Sequence, residues 1–272
     1  MRWMMLLLLI LAGCASTELK APQSRFNLPE SMGGSWDDSI WSVETGLSSN
    51  VTIEPVKDPS ARPVDLKAEP FISSDTAMLV RTDVSFSNWL DSYLRIGNDS
   101  EPTQVGVKMQ ILGKPLSESQ EGDMSLAFTA GYGKNSSKSE GTKNGEESGA
   151  GGADDFPWKA RSEIEFADLS LVFGYRLNSD TLIYLGPFST FYRYNLYIDH
   201  GTSKTSQNDP AIDSAAKYQD NGAGKSYGGH IGANIRVTTN SYLTFEWNLF
   251  RTSFEEKENS WSFVAGSMGT RF

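Results

Sequence analysis

The stretch LTFEWNL, residues 243–249, alternates strictly between apolar and polar side chains. Successive side chains of a β-strand point to opposite faces of a sheet, so this alternation predicts a strand with one apolar face. The same period of two recurs in VGVKMQI (105–111), MSLAFTAGYG (124–133), ADLSLVFGYRL (167–177) and IGANIRV (231–237). Strands of this kind suit a membrane barrel, and they also suit a soluble β-sandwich.

The last strand-like stretch favours the barrel. One of its faces carries Val264, Gly266, Met268, Thr270 and Phe272. A final strand that ends in phenylalanine resembles the C-terminal signature of bacterial outer-membrane barrels. That resemblance implies that Phe272 is the signal read by the barrel assembly machinery. We therefore expect an all-β fold, an antiparallel transmembrane β-barrel over residues 35–272.

The first residues have the layout of a secretory signal. Arg2 gives a basic start, an apolar run covers 4–11, and the tetrapeptide LAGC ends at Cys14, the single cysteine of the chain. LAGC resembles the lipobox of bacterial lipoproteins. The resemblance implies that residues 1–13 are removed, that Cys14 carries a covalent lipid, and that the lipoprotein sorting machinery handles the chain. It also implies that Ala15 favours passage to the outer membrane.

Residues 14–34 contain prolines, serines and a Gly-Gly pair, which predict a flexible tether in front of the barrel; the lipobox resemblance implies that this tether is lipidated at Cys14. The formal net charge is −10 and no basic run is present, so nucleic acid is excluded as a partner. No cofactor other than the lipid on Cys14 is expected. Outer-membrane lipid is the expected surrounding, and the sequence leaves any extracellular ligand open.

Short and long connections alternate along the chain. Asn, Asp and Ser tolerate tight turns, and short turns are predicted at 88–91, 178–180 and 239–241. Longer polar connections are predicted at about 55–74, 98–103, 135–159, 200–224 and 255–259. Because transmembrane barrels have short periplasmic turns and long outer loops, we expect the long connections to be extracellular and both termini to be periplasmic. A lipid on Cys14 would then enter the inner leaflet.

Ten strands follow from these connections. They are predicted at about 40–54, 75–87, 90–98, 103–112, 123–134, 160–177, 181–199, 225–238, 242–254 and 260–272. An eight-strand alternative treats 35–72 as an extended tether and merges 75–98 into one strand. It places the turn at Asn88 on the wrong side of the membrane.

The same parity assigns a set of charged side chains to the lumen. They are Glu44, Arg81, Asp83, Arg95, Lys108, Asp168, Arg176, Arg193, Arg236, Glu246 and Arg271. Barrels of eight to ten strands are mostly filled by side chains, so a charge-paired core is expected and an ion-conducting path is the alternative. Tyrosines near strand ends predict interfacial girdles, with carbohydrate binding as a second interpretation. They are Tyr132, Tyr175, Tyr184, Tyr192 and Tyr194.

Two patterns could carry catalysis. His230 has Ser226 four residues before it and Glu246 on the next predicted strand, which could form a Ser–His–acid set. The plainer interpretation makes His230 a hydrogen-bonded lumen residue. Near the outer rim, His200 follows Asp199, and ten-stranded omptin proteases carry acidic and histidine residues at that place.

The rim pattern departs from the omptin family in two respects. Asp199 and His200 are adjacent, so a strand would point them to opposite faces. The surrounding residues also differ from that family, although Asp154 and Asp155 in another outer loop could supply partners.

The segment 222–226, GAGKS, resembles the end of a phosphate-binding loop, but Gln219 stands where the first glycine belongs. We therefore assign no catalytic residue and no metal site. The expected function is a non-enzymatic barrel with a structural or surface-interaction role carried by its outer loops. The alternatives are a rim hydrolase, either omptin-like or acting on lipid, and a narrow ion channel.

Overall fold

The computed structural model describes residues 19–23, 25–34, 40–54, 71–97, 102–143, 156–200, 217–254 and 257–272. Its strands are β1 Leu19–Pro22, β2 Ile40–Glu54, β3 Phe71–Ser87, β4 Leu90–Gly97, β5 Thr103–Leu112, β6 Met124–Lys143, β7 Phe156–Arg176, β8 Thr181–His200, β9 Lys217–Arg236, β10 Ser241–Phe254 and β11 Lys257–Arg271. Within these ranges no helix has the length and hydropathy needed to cross a membrane.

Strands β2 to β11 form a ring of ten antiparallel strands. Each strand pairs with its neighbours in sequence, and β2 pairs with both β3 and β11 to close the ring. β3 and β4, which the eight-strand alternative merges, are separate strands joined at residues 88–89. The all-β antiparallel fold with a barrel-like ring therefore agrees with the expectation from the sequence.

The two ends of the ring differ in their connections. At the turn end, the strands are joined by residues 88–89, 113–123, 177–180 and 237–240. The Oδ1 atom of Asn178 accepts hydrogen bonds from the backbone N–H groups of Asp180 and Thr181 at 2.9 Å each, which explains one of these turns. The loop end is the opposite end, and most residues of its connections lie outside the described ranges.

Strand β7 reverses its polarity half-way along its length. Towards the turn end, apolar side chains point outward, namely Leu169, Leu171, Phe173 and Tyr175, while Asp168, Ser170 and Arg176 point inward. Towards the loop end, charged side chains point outward, namely Lys159, Arg161, Glu163 and Glu165, while Trp158, Ala160, Ile164 and Phe166 point inward. One strand thus carries two opposite patterns.

The reversal lies at one level on neighbouring strands. Tyr132, Ala167 and Phe191 are register partners on β6, β7 and β8, and they end the outward apolar region. Two residues further towards the loop end, Lys134, Glu165 and Arg193 are also register partners. We call the level between these two rows the polarity boundary.

The outward apolar region on the turn-end side of this boundary extends around the ring. Every strand of the ring contributes an exposed large apolar side chain, for example Trp41, Val80, Ile96, Val107, Met124, Leu171, Leu185, Ile231, Trp247 and Val264. A continuous apolar surface of this extent is unfavourable in water, so this outward apolar region, which we call the apolar band, is suited to nonpolar surroundings.

The interior of the loop-end half is an apolar core. Leu19 and Ala21 of β1, Val51 and Ile53 of β2 and Ile72 of β3 belong to it. They cluster with inward side chains of β7, β8 and β10, namely Trp158, Ala160, Ile164, Phe166, Phe188, Tyr192, Tyr194, Leu196, Ile198, Phe250 and Phe254. Tyr184, Tyr192 and Tyr194 are buried inside the barrel, so the prediction of an outward girdle is wrong for them. Tyr132 and Tyr175 are exposed on the outer face.

Residues 19–23 and 25–34 lie inside the ring; we call them the lumen segment. β1, at the start of the segment, pairs with β2 from Leu19↔Ile53 to Pro22↔Asn50. Most of the remaining described side chains are buried and contact inward-facing residues of the ring. The expectation of a free tether over 14–34 is therefore wrong for the described part of this range. Pro22, Pro29 and Ser31, which contributed to the tether prediction, instead lie along a filled lumen, and residues 14–18 and 24 lie outside the described ranges.

Candidate functional site: the occupied lumen

Arg25 joins the lumen segment to the middle of the ring. Its guanidinium forms a salt bridge with Asp168 on β7 and donates a hydrogen bond to Thr190 Oγ1 on β8 at 2.7 Å. The same group lies over the ring of Phe188, with 3.4 Å between Cζ and the ring centroid. Thr190 Oγ1 also donates to Asp168 at 2.8 Å. The buried cation thus has a carboxylate, a hydroxyl and an aromatic face as partners.

Glu246 on β10 binds the backbone of the lumen segment. Its two carboxylate oxygens accept hydrogen bonds from the N–H groups of Arg25 and Phe26, each at 2.9 Å. The hydroxyl of Tyr184 donates a third bond at 3.3 Å. The backbone N–H groups of Arg25 and Phe26 have no strand partner, so the carboxylate of Glu246 supplies the acceptors that a neighbouring strand would otherwise provide.

Glu30 fixes the lumen segment near the turn end. Both of its carboxylate oxygens accept hydrogen bonds from the guanidinium of Arg176, with 3.0 Å from Nε to Oε1. The exposed fraction of each of these two side chains is 2%. Lys108 donates to the carbonyl of Glu30 at 2.7 Å and forms a salt bridge with Asp91, also at 2.7 Å. A bidentate arginine–carboxylate pair of this kind sets both position and orientation.

Arg81 on β3 binds the opposite side of the segment. Its Nη1 atom donates to the carbonyl of Arg25 and to Oδ1 of Asn27, at 2.6 Å each. Its Nε and Nη2 atoms donate to Asp83 over 2.6–3.1 Å. Arg81 therefore links an acidic residue of its own strand to the backbone of the lumen segment.

The ring places most of the predicted lumen charges inside. Buried are Glu44, Arg81, Asp83, Arg95, Lys108, Asp168, Arg176 and Glu246, and half-buried are Arg236 and Arg271. The prediction is wrong for Arg193, which is exposed, because the even-numbered residues of β8 face inward. Its outward position fits the loop-end half, where the outer face is polar.

The sequence reasoning missed three charged residues of this network. Arg25 and Glu30 belong to the segment read as a tether, and Asp91 was assigned to a turn. Asp91 is fully buried in β4 and accepts a hydrogen bond from Ser31 Oγ at 2.7 Å. The excess of basic over acidic side chains in the predicted lumen was the available signal that further carboxylates were required.

The possible Ser–His–acid set does not assemble. Ser226 Oγ bonds to the hydroxyls of Tyr192 and Thr252, the latter at 2.5 Å. His230 lies between the rings of Tyr184 and Phe188, and its two ring nitrogens form no hydrogen bond with the described residues. Glu246 is engaged by the lumen segment and by Tyr184, and no hydrogen bond joins His230 to Ser226 or Glu246.

The structure describes the whole phosphate-loop pattern but only part of the rim pattern. His200 is the last residue of β8 and its side chain is not described, while Asp154 and Asp155 lie outside the described residues. The segment 222–226 lies within β9, where it pairs with β8 throughout and with β10 over 224–226, so it has no strand–loop–helix setting. Among the residues that the structure describes, no group of three His, Cys, Asp or Glu side chains is placed to hold a metal ion.

One small cavity lies beside the lumen segment, and a larger one lies at the loop end of the ring. One, of about 20 Å³, lies beside Glu30, Glu44 and Arg81 and has room for about one water molecule. The other, of about 660 Å³, is open and lies at the loop-end tips of β6 to β9. Both signs of charge line it, including Lys138, Lys159, Glu140 and Asp199.

Comparison with known proteins gives structural neighbours only. No family model and no curated protein sequence matches the chain. The attachment invasion locus protein Ail of Yersinia pestis matches with 9% identity, 86% coverage of this chain, 99% of that chain and a TM-score of 0.30. The outer-membrane protease OmpT of Escherichia coli matches with 10% identity, 90% and 97% coverage and a TM-score of 0.39.

A third neighbour is the N-terminal β-barrel domain of OprF from Pseudomonas aeruginosa. It has 11% identity, 86% coverage of this chain, 97% of that chain and a TM-score of 0.22. All three are bacterial outer-membrane β-barrels. With identities of 9–11%, these likenesses concern the fold alone.

Proposed function

We propose that this chain is a lipid-anchored barrel of the bacterial outer membrane, with a structural or surface-interaction role at its loop end. The observation that carries the proposal is the polarity boundary. A barrel in lipid is apolar outside and tolerates polar side chains inside, whereas a barrel in water has the reverse pattern. The turn-end half has the first pattern and the loop-end half has the second.

The dimensions support a membrane at the turn-end half. A transmembrane β-strand needs about 9–11 residues, and the outward apolar part of β7 runs from Ala167 to Tyr175 before the turn at 177–180. The loop-end half then stands in water outside the cell, with the long connections at its tip. Its polar outer face and the open cavity of about 660 Å³ offer surface for a partner.

The filled lumen supports a role other than conduction. Buried charges of the ring are paired with the lumen segment, and the apolar core closes the loop-end half. The proposal includes no enzymatic activity, because Ser226 and Glu246 bond to other groups and neither forms a hydrogen bond with His230.

Assembly and anchoring complete the proposal. Phe272 is 75% exposed, and its backbone N–H donates to the carbonyl of Trp41 at 2.8 Å across the β2–β11 seam. An exposed terminal aromatic ring is accessible to the barrel assembly machinery. Cys14 carries the lipid, with the lipoprotein sorting machinery as an earlier partner.

Cell fractionation tests the proposal. We expect Cys14→Ser to lose metabolic lipid labelling and to stay in the outer membrane as a heat-modifiable barrel, because the apolar band holds it there independently. Ser16→Ala is the matched control and should keep the label. A Cys14→Ser protein found in the soluble periplasmic fraction would contradict the membrane barrel.

Planar-bilayer conductance tests the closed lumen. The purified full-length protein should give no steady open current, because the lumen segment fills the ring. A stable conductance in the untreated protein would replace the proposed role by that of a narrow ion channel.

A further inference from the structure

The lumen segment runs through the barrel from one end to the other. At its start, Leu19 pairs with Ile53, which is next to the loop-end terminus of β2. At its other end, the carbonyl of Ser31 accepts a hydrogen bond from the N–H of Leu116 at 2.7 Å, in the turn-end connection 113–123. The chain therefore enters the lumen at the loop end and leaves it at the turn end.

Opposite charges on the ring hold the segment at three heights. Near the loop end, Lys20 forms a salt bridge of 2.5 Å with Asp75. In the middle, Arg25 pairs with Asp168, and near the turn end Glu30 pairs with Arg176. Each of these charges has a matched partner, so both the direction and the register of the segment are specified.

We propose that the N-terminus of the mature chain emerges at the loop end, so that the acyl chains on Cys14 enter the outer leaflet of the outer membrane. This inference rests on the proposed function, which supplies the lipid on Cys14 and the membrane around the turn-end half. Cys14 precedes Leu19 by five residues, a reach of at most about 17 Å for an extended chain. To reach the inner leaflet, the lipidated end would have to pass back along the whole length of the lumen.

The inference reverses an expectation from the sequence, which placed both termini in the periplasm. The segment that was read as a tether crosses the barrel, so the two termini lie at opposite ends. Phe272 remains at the turn end, where it bonds to Trp41. The lipid would anchor the outer, protruding half of the protein instead of its periplasmic end.

Labelling of cysteine variants on intact cells tests this topology. We expect Thr17→Cys to react with a membrane-impermeant maleimide, as Lys138→Cys does at the exposed loop end. Ser179→Cys, exposed in a turn at the opposite end, should react only after the cells are permeabilised. The parent protein, whose Cys14 thiol is acylated, gives the background.

The result that overturns the inference is a Thr17→Cys variant that behaves like Ser179→Cys. Failure of the proposed function has a different signature. If Lys138→Cys and Ser179→Cys exchange their behaviour, the assumed orientation is wrong; if the parent protein carries no acyl chain by mass spectrometry, the assumed anchor is wrong. In both cases the comparison of Thr17→Cys with Lys138→Cys still tests the path of the lumen segment, because the two cysteines should be labelled from the same side of the membrane.

A cross-link tests the lumen path without reference to the membrane. The Oγ atoms of Ser31 and Ser85 lie 3.3 Å apart, so the double variant Ser31→Cys/Ser85→Cys should form a disulfide in the folded protein. Ser31→Cys/Ser92→Cys is the control, because Ser92 points to the other face of β4 from buried Asp91. Thiols that stay free in Ser31→Cys/Ser85→Cys under oxidation would show that the segment lies elsewhere.

Discussion

The turn-end half and the loop-end half of this barrel carry their apolar side chains on opposite faces of the same sheet. In the turn-end half, which we propose lies in lipid, the outward face is apolar and the interior is a network of paired charges. In the loop-end half, water covers the outward charged face and the interior is an apolar core of the kind found in soluble proteins. The solvent outside each half, and not the barrel closure, decides which side chains lie inside.

The lumen segment follows the same division. Leu19 and Ala21 pack in the apolar core, whereas Arg25 and Glu30 lie in the charged network. A single stretch of chain thus matches two different interiors in the correct order. This match explains why a segment without an extended apolar run is ordered inside a barrel.

The largest effect is expected from an unpaired charge in the turn-end interior. Arg176→Met should lower the free energy of unfolding by about 3–5 kcal/mol, since it leaves the buried Glu30 carboxylate without its partner. Equilibrium unfolding by urea in lipid vesicles, followed by tryptophan fluorescence, measures this change. The double variant Arg176→Met/Glu30→Leu should recover part of the loss, because no buried charge remains. A double variant less stable than the single one would show that the pair is not the cause.

A cavity in the loop-end interior should have the next largest effect. Ile164→Ala should lower the free energy of unfolding by about 2–5 kcal/mol, because Ile164 is fully buried in the apolar core. Glu165→Ala is the neighbouring control on the exposed face, where a change within about 0.5 kcal/mol is expected. Equal losses for the two variants would remove the distinction between the faces of β7 in this half.

The smallest of the three effects is expected on the outer face. Leu185→Arg places a cation in the lipid-facing band of β8 and should cost roughly 2–4 kcal/mol near the middle of the membrane. Asn195→Arg, ten residues further along the same face and beyond the polarity boundary, should change stability by no more than about 0.5 kcal/mol. Folded fractions from heat-modifiable gel mobility compare the two. If Asn195→Arg were the more harmful change, the boundary would lie elsewhere.

The sequence predicted the turn-end half well and the loop-end half poorly, for a physical reason. In the turn-end half, alternation of apolar outward and polar inward side chains is strong, so stretches such as 167–177 are recognisable. Beyond the boundary the apolar side chains move to the positions of the other parity, since Ile164 and Phe166 face inward whereas Leu169 faces outward. The predictions of strands over 123–134 and 225–238 accordingly stop near the boundary, although β6 continues to Lys143 and β9 begins at Lys217.

The lumen segment could not be predicted from local pattern. Its backbone hydrogen bonds go to side chains far away in sequence, such as Glu246, which is 221 residues from Arg25. A segment whose partners are side chains has no period of two or of 3.6, so Pro, Ser and Gly there resemble a linker. The lumen charges of the ring, by contrast, follow from strand parity. Arg193 fails because β8 carries apolar side chains on both faces over 182–188, so its sequence does not show which parity faces inward.

The closed ring also determines an order of events during folding. The hydrogen bonds between β2 and β11 join the two ends of the chain, and pairings of such large sequence separation form late. A completed ring leaves the lumen segment no way in except through the two open ends of the barrel. We therefore expect residues 25–34 to pack against the inward faces of β3 to β8 while the seam is still open. In a refolding time course, the Ser31→Cys/Ser85→Cys cross-link should become possible before the compact, heat-modifiable form accumulates. A compact form that appears before the cross-link can form would reverse this order.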